Sequence, residues 1–332
     1  MTSSASSPYS SDALRTPPRA GTVRVVPLGG LGEIGMNCLA LEQEDGIIVV
    51  DCGITFPDDD TGIDTYHPDL AYLYERKDRV AGLFLTHGHE DHVGGLPHFL
   101  RKLKVPVFGP PHALAVGRHR LVDRGFDPLE FQLHTVRTRT AYRVGPFQVE
   151  PVRVTHSITD ATALAIRTAA GIVLHTGDFR FDPTPPDGEV TDEERFAELG
   201  REGVRLMLSD STGIDAQGPH ESEATVGRML EQLIGDAKGR VVVAMFASNV
   251  QRLKTVGEIC MRLGRKIALF GRSISLQAQW GQEIGRLAWP SDLIVPPTDV
   301  ANMPADSVVV LAGGTQAEQG SALMRLATRT HP

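Results

Sequence analysis

The pattern of hydrophobic and polar positions changes along this chain after Leu199. Before it, short apolar runs such as Val80 to Leu85 and Val152 to Thr155 are separated by turn residues, as expected for strands. After it, apolar strands alternate with segments of helical period, as in Arg240 to Phe246 followed by Val250 to Leu263. Strands alternating with helices are typical of a parallel sheet. The pattern therefore predicts a β-rich first part and an α/β second part.

The N-terminal stretch has a different composition. Residues 1–21 are rich in Ser, Pro and Ala and contain no apolar core of signal-peptide length. They are therefore expected to form a disordered tail. We predict a first domain over residues 22–205 and a second over residues 206–332. No apolar run reaches the length of about 18 residues that a membrane span needs, so no membrane partner is expected.

A glycine-rich loop follows the first predicted strand. Gly30 to Gly35 match G-x-G-x-x-G, and Asp51 lies about twenty residues further on, as in a dinucleotide-binding fingerprint. Such a loop must lead into a helix. Here Asn37 to Glu42 and Gly46 to Val50 both read as strands, joined by a hairpin-type turn. The context therefore argues against dinucleotide binding.

The stretch Thr86 to His92 concentrates the candidate chemistry, because it contains H-x-H-x-D-H directly after an apolar strand. Residues two apart in an extended segment point the same way, so His87 and His89 can reach one common point. Asp91 and His92 follow the strand and can reach a second point nearby. Imidazole and carboxylate ligands suit zinc. The alternative is a solvated loop with incidental histidines, which such clustering of ligand-type residues disfavours.

Three further candidates lie just after predicted strands: Asp51, His156 and Asp178. In a layered β-rich fold, strand ends on one edge converge. We therefore predict a first metal site made of His87, His89 and His156. A second site is predicted from Asp91 and His92, with Asp178 bridging the two. Asp51 is expected to orient a metal-ligating histidine, although a simple strand-ending turn residue is the alternative.

Two metal sites this close suggest a reaction class. Two cations about 3.5–4 Å apart can clamp the attacking and leaving oxygens of a displacement and lower the pKa of a bound water. The number of carboxylates among the candidate ligands favours hard oxygen chemistry, such as phosphoester hydrolysis. We therefore expect two zinc ions per subunit.

Bulk composition narrows the possibilities further. The chain has 332 residues, 41% hydrophobic and 22% charged, which is ordinary for a globular protein. Its net charge of −8 argues against a generally basic nucleic-acid coat, although a local basic channel remains compatible. Cys38, Cys52 and Cys260 form no C-x-x-C pair, so neither a disulfide framework nor a thiolate zinc site is expected. That usage fits a reducing cytoplasm.

The second part contains a candidate phosphate-binding loop. Ser248 and Asn249 precede the predicted helix Val250 to Leu263, and Arg252 lies near its start. Backbone N–H groups and the dipole at a helix N-terminus favour phosphate, which makes these three residues candidates for binding a phosphate group. Ordinary helix capping explains Ser248 and Asn249 equally well.

Several stretches together resemble the metallo-β-lactamase fold and, within it, the ribonuclease J family of the β-CASP group. They are Pro27 to Asn37, Thr86 to Pro97, Thr155 to Ile158, His175 to Phe179 and Ser209 to Thr212. The resemblance runs from about Thr22 nearly to the end of the chain. It implies an α/β protein in which a metallo-β-lactamase αββα sandwich carries an inserted β-CASP α/β domain.

The resemblance also implies an activity. It implies 5′-to-3′ exonucleolytic and endonucleolytic RNA cleavage with zinc or manganese, with Asp91 and Asp178 as catalytic carboxylates. Asp210 matches the first β-CASP motif, an acidic residue near the scissile phosphate. The implied partners are single-stranded, 5′-monophosphorylated RNA, further copies of the chain in a homodimer or tetramer when full length, and an RNA-degradation complex.

The chain departs from the family pattern at its end. It stops at Pro332, before the Ser-Gly-His loop and the late histidine of the family. We therefore expect the insert and the closing segment to be incomplete here, and the second metal site to lack one ligand. Two alternatives stay open: a metallo-β-lactamase-fold hydrolase acting on a thioester or small ester, and a non-catalytic RNA-binding module.

Overall fold

A computed structural model describes residues 16–57, 62–63, 65–218, 220–315 and 320–330. Most of the predicted N-terminal tail, residues 1–15, lies outside the described residues. Every helix within them is too short or too polar to span a bilayer.

The first sheet has six strands, hydrogen-bonded in chain order. Its first three strands are antiparallel, and from the third onward neighbouring strands are parallel. The strands are β1 (Arg24–Gly29), β2 (Cys38–Gln43), β3 (Gly46–Val50), β4 (Val80–Phe84), β5 (Val107–Gly109) and β6 (Leu133–Thr135). The glycine-rich loop leads into β2 and not into a helix, which agrees with the rejection of a dinucleotide fingerprint.

The second sheet has five strands in the order β11-β10-β9-β8-β7. Neighbours are antiparallel except β10 and β11, which are parallel. The strands are β7 (Tyr142–Val144), β8 (Phe147–Arg153), β9 (Thr162–Thr168), β10 (Gly171–His175) and β11 (Val204–Leu208). The border predicted after residue 205 falls inside β11, so the last strand of this sheet continues past it.

The two sheets pack face to face, and helices cover both outer faces. Leu41, Phe84 and Ile166 belong to the apolar core between the sheets. The other face of the first sheet packs against helices α1 (Ala71–Tyr74), α2 (Glu90–Val93), α3 (Leu96–Leu100) and α4 (Pro111–Asp123). Helix α5 (Glu193–Glu202) covers the outer face of the second sheet through Leu199. Strands β3 and β4 of the first sheet are apolar on both faces because both faces are covered.

The remaining residues form an α/β lobe around a three-stranded parallel sheet, in the order β12-β14-β13. Alternate residues of β13 face two different cores, with Ile267 on one side and Ala268 on the other. The elements are α6 (Glu223–Asp236), β12 (Val241–Ala244), α7 (Val250–Leu263), β13 (Lys266–Phe270), α8 (Arg272–Glu283), β14 (Val308–Ala312) and α9 (Ala322–Ala327). Short 3₁₀ helices are Lys77–Arg79, Pro128–Glu130, Pro297–Asn302 and Ala305–Ser307.

Candidate metal centre

The candidate ligands meet where strands of the two sheets end at one edge of the sandwich. Asp51 directly follows β3, and the segment after β4 carries His87. From the second sheet, the segments after β8 and β10 carry His156 and Asp178. The two sheets are joined at this edge, because Thr162 donates hydrogen bonds of 3.0 Å from its N–H and its hydroxyl to the Thr86 carbonyl.

Three imidazoles form the first group of possible metal ligands. His89 Nδ1 lies 3.1 Å from His87 Nε2 and 3.2 Å from His156 Nε2. Burial lowers the pKa of His87 and of His89 well below their usual range, and lowers the pKa of His156 to about 4. The rings are therefore neutral at pH 7. Three ring nitrogens within 4.8 Å of one another make a donor set that fits a divalent cation such as zinc.

A second group contains His87, His92 and Asp178, again with ligand atoms within 4.8 Å of one another. His92 Nε2 lies 3.4 Å from Asp178 Oδ1 and 3.6 Å from Asp91 Oδ2. Asp178 Oδ2 also lies 3.8 Å from His156 Nε2, so this carboxylate stands between the two groups. Asp91 is beside the second group and is not one of its three closest members.

Asp51 supports His92 from behind. Its carboxylate accepts hydrogen bonds from the Thr86 N–H (2.7 Å) and hydroxyl (2.8 Å), and lies 2.8 Å from His92 Nδ1. Burial lowers the pKa of His92, but Asp51 and Asp178 outweigh it and raise that pKa well above its usual range. Asp51 has a φ of +59°, a strained value for a residue with a side chain. A carboxylate bound to the far nitrogen of a ligating imidazole fixes its tautomer and orientation.

The two carboxylates of the second group differ electrostatically. Burial raises the pKa of Asp91. For Asp178, burial also favours the neutral form, but the hydrogen bond with His92 and the nearby histidines lower its pKa to about 2. Asp178 is therefore the more firmly ionised of the two and the better charge partner for a cation.

Close backbone packing holds the H-x-H-x-D-H segment in place. The Asn37 N–H donates to the Asp91 carbonyl (2.9 Å), and the Cys52 N–H donates to the His92 carbonyl (2.9 Å). A Cβ at Gly53 would overlap the Asp91 carbonyl oxygen, so glycine is needed at that position. The ligand segment thus rests directly on the segments that follow β1 and β3.

Sequence reasoning missed two polar residues of this centre. Asn37 Nδ2 lies 3.0 Å from His92 Nε2 and 3.3 Å from Asp91 Oδ2. His175 is partly buried, and its Nδ1 accepts a hydrogen bond of 3.1 Å from the Gly177 N–H. Both stand in stretches that carry the family resemblance, which was the available signal. Asn37 has no ligand-type neighbours at metal-site spacing in the sequence, because its partners come from another segment, whereas His175 lies three residues before Asp178.

A cavity of about 570 Å³ opens onto the second group. Its wall includes the glycine-rich loop together with Asp91, His92, Asp178 and Asp210. Asp210 directly follows Ser209 at the end of β11. Its carboxylate accepts a hydrogen bond of 2.7 Å from the Thr212 N–H, and its own N–H donates to the Thr176 hydroxyl (3.0 Å). The cavity therefore brings Asp210 into one space with the carboxylates of the H-x-H-x-D-H and Thr-Gly-Asp segments.

The candidate phosphate loop lies apart from this cavity. Asn249 caps α7, with its Oδ1 accepting from the Arg252 N–H at 2.9 Å. The Arg252 guanidinium binds the buried Glu223 carboxylate, with contacts of 2.7 and 3.2 Å. Ser248, Asn249 and Arg252 are not among the residues that line the metal-site cavity. The capping role of Asn249 is therefore visible, while phosphate binding by these residues stays a prediction.

Comparison with protein families assigns both parts of the chain. Residues 31–244 match the metallo-beta-lactamase superfamily, and residues 238–332 match the beta-CASP domain of ribonuclease J. The chain belongs to the metallo-β-lactamase superfamily. The predicted αββα sandwich with a β-CASP domain is thereby confirmed, and the superfamily together with the buried donor set indicates a divalent-metal site.

Curated relatives of this superfamily chain are named ribonuclease J. The Helicobacter pylori (strain J99) protein is 38% identical over 311 residues, covering 93% of this chain and 45% of the relative. Ribonuclease J 1 of Streptococcus pyogenes is 40% identical, with 93% and 55% covered. Ribonuclease J of Mycobacterium tuberculosis (strain H37Rv) is 39% identical, with 95% and 56% covered. The chain thus spans about half the length of the curated relatives it matches.

A solved structure shares the fold at low sequence identity. The crystal structure of a protein of unknown function from Enterococcus faecalis V583 aligns with a TM-score of 0.61 and 18% identity. The alignment covers 86% of this chain and 76% of that one. At this identity the likeness concerns the fold only.

Proposed function

We propose that this chain carries the active site of a metal-dependent ribonuclease that hydrolyses RNA phosphodiesters. The observation that carries the proposal is the pair of ligand groups, which share His87 and have Asp178 between them. Asp210 in the adjoining cavity and the ribonuclease J names of the relatives support RNA as the substrate.

The proposed cofactors are two zinc ions, with manganese as the alternative. We assign His87, His89 and His156 to one ion, and Asp91, His92 and Asp178 to the other, with Asp178 shared. When bound, the two cations polarise the phosphate and lower the pKa of the attacking water.

The protein's own groups then have distinct tasks. Asp51 holds the proton of His92 at Nδ1, so that Nε2 is the nitrogen that would lose its proton and bind a metal. Asp178, with a pKa of about 2, remains ionised while it orients the reactants beside Asp91. We assign Asp210 to the acidic position near the scissile phosphate, because its carboxylate lines the same cavity as Asp91, His92 and Asp178.

The finer features of this proposal follow the family resemblance. They are single-stranded, 5′-monophosphorylated RNA as the substrate, and 5′-to-3′ exonuclease with endonuclease activity in cytoplasmic RNA maturation and decay. A homodimer or tetramer of the full-length protein and a place in an RNA-degradation complex complete them. We also propose the division into residues 1–21, a catalytic domain over 22–205 and a β-CASP domain from 206 onward.

The direct test is cleavage of a 3′-labelled single-stranded RNA by metal-loaded protein. We expect shortening from a 5′-monophosphate end with zinc or manganese, and slower shortening from a 5′-triphosphate end. The assay uses this chain and the longest protein that its gene encodes. Cleavage by neither, with metal bound, contradicts the proposal. Faster turnover of a thioester than of RNA would favour the alternative of a small-ester hydrolase. RNA binding without cleavage would favour the alternative of a non-catalytic RNA-binding module.

A further inference from the structure

Helix α8 connects the α/β lobe to the metal-bearing sandwich. Ile274 and Ala278 of α8 belong to the core of the lobe, whereas Trp280 belongs to the core beneath the first sheet. Trp280 also packs against His119 of α4, with ring centroids 5.0 Å apart. One helix therefore contributes to two cores, and a displacement of α8 would alter the packing of both.

A buried polar contact extends from α8 to the segment between two metal-ligand candidates. Gln277 Oε1 of α8 lies 3.0 Å from His112 Nε2 at the start of α4, and both side chains are buried. Another edge of the His112 ring lies against Gly88. A Cβ added at Gly88 would overlap Nδ1 of His112 and lie 3.2 Å from its Cε1. Gly88 stands between His87 and His89, so the imidazole of His112 fills the space beneath both ligands' backbone.

The chemistry of His112 fits a fixed support. Burial lowers the pKa of His112 to about 4, so the ring is neutral at pH 7. The Gln277 carbonyl oxygen can then accept the Nε2–H, which leaves Nδ1 as the unprotonated nitrogen facing Gly88. His112 Nδ1 has no hydrogen-bond partner among the described residues. Gln277 is thus the contact that sets the orientation of this ring.

A second contact reaches the other ligand-bearing loop. Arg286, just after α8, forms an ion pair with the buried carboxylate of Asp160. Asp160 lies in the loop that begins with His156, and its φ of +63° is a strained value. A strained backbone persists where its surroundings hold it. The loop that carries His156 is therefore held by Arg286, just after the C-terminal end of α8.

We infer that α8 positions the three-histidine group of the metal centre, through Gln277 and His112 beneath Gly88 and through Arg286 and Asp160 beside His156. His112 and Asp160 are positioning residues, and the α/β lobe tunes metal binding through them. The inference rests on the proposed function only in that the three histidines bind a metal.

The test measures the zinc affinity of variants by competition with a chromophoric chelator. Each variant at a supporting residue on or just after α8 is matched with a control variant on the same helix. Gln277→Ala and Arg286→Ala are compared with Gln279→Ala and Arg272→Ala. Gln279 donates a hydrogen bond of 2.8 Å to Glu283 of its own helix, and Arg272 is exposed and reaches Asp123 at 3.5 Å. We expect the first two variants to weaken zinc binding about tenfold, as loss of a ligand's supporting contacts does, and the two controls to leave it unchanged.

A second readout separates positioning from stability. Cobalt substituted at the three-histidine group reports its geometry through visible absorption, and we expect Gln277→Ala to shift that spectrum while Gln279→Ala does not. If Gln277→Ala does not fold, Gln277→Met is measured in its place. Methionine fills a similar volume but lacks the carbonyl oxygen that accepts the hydrogen bond from His112. Unchanged zinc affinity and spectrum, with only a lower unfolding temperature, overturns the inference. Altered zinc affinity in a protein that cleaves no RNA refutes the proposed function and leaves this inference standing.

Discussion

Two regions of this molecule place polar residues just after strands, with different results. At the sandwich edge, the segments after four strands bring Asp51, His87, His156 and Asp178 to one place. In the α/β lobe, the segment after β12 carries Asn249, whose side chain caps the helix that begins at the next residue. The first edge is built from two sheets, whereas each loop of the parallel sheet leads into its own helix. Whether polar residues that follow strands meet at one site therefore depends on whether two sheets pack together at that edge.

The two regions also differ in how their polar groups are satisfied. In the first, ring nitrogens of His87, His89 and His156 face one another, an arrangement that a cation would complete. In the second, Arg252 is already bound to Glu223. A ligand is thus required to complete the first region and not the second. Three predictions test this contrast, and a fourth concerns a charge network outside both regions; they follow in decreasing order of expected effect on activity.

Replacing a member of the three-histidine group should have the largest effect. We expect His89→Ala to reduce zinc affinity and RNA cleavage by more than about 100-fold, since loss of a mere supporting residue already costs 10–100-fold. Zinc content by mass spectrometry and cleavage rates check this. The control is His134→Ala, an exposed histidine outside the centre. Equal zinc content and equal cleavage rates in both variants would show that His89 is not a metal ligand.

Removing the charge behind His92 should have a smaller effect. Asp51→Asn keeps the shape of the side chain but removes the negative charge that orients the imidazole. We expect a 10- to 100-fold loss of activity, roughly the effect of losing a ligand's carboxylate partner. The measurement is kcat/KM at saturating zinc, with Asp45→Asn in the exposed hairpin turn as the matched control. Full activity of Asp51→Asn would mean that Asp51 only ends a strand.

A third variant asks whether the loop before α7 binds phosphate. We expect Arg252→Ala to raise KM for RNA and to reduce the salt slope of RNA binding by about one, because one phosphate contact is lost. Glu223 also pairs with Arg180 at 3.2 Å, and removing one of its two arginine partners should lower the free energy of unfolding by about 1–3 kcal/mol. Arg262→Ala, which breaks an exposed pair with Glu231, is the control. Lower stability with unchanged RNA binding would show that Arg252 stabilises the fold and does not bind RNA.

The smallest effect on activity is expected at a charge network outside both regions. Hydrogen bonds from Arg195, at 2.6 and 2.9 Å, lower the pKa of Glu150 below its usual 4.5. A depressed pKa in the folded state means that the stabilisation is present above pH 4.5 and is lost as the pH falls through the folded-state value. We expect Glu150→Gln to cost about 1 kcal/mol at pH 7, with no loss of activity.

Urea unfolding at several pH values checks the Glu150 prediction. The difference between wild type and variant should shrink steadily below pH 4.5. Arg143, exposed on the same sheet, offers a neighbouring control in Arg143→Ala. A difference that is constant across pH would show that packing of the side chain, and not its charge, stabilises the network.

Much of the fold was predictable because local periodicity reflects burial. The helix Val250–Leu263 and the strand Gly46–Val50 coincide with their predicted bounds, since each has a clear apolar pattern and is bounded by turn residues. Helix α8 was not predicted. Its apolar residues include Ile274 and Trp280, which pack on two different cores, so no single apolar stripe marks it in the sequence. Strand β6 was also missed, because three largely exposed residues carry little pattern.

The sequence by itself determined the ligand-rich segment, because residues two apart in an extended chain share a direction wherever the chain lies. It also determined that Asp51, His156 and Asp178 follow strands. Only the tertiary structure decided which atoms meet: it placed His87 in both groups, Asp91 beside the second, and Asn37 against His92. The contact of His112 beneath Gly88 likewise depends on how α4 and α8 pack. Spacing along a chain is a local property, whereas distances between strands and helices are set by sheet pairing and core packing.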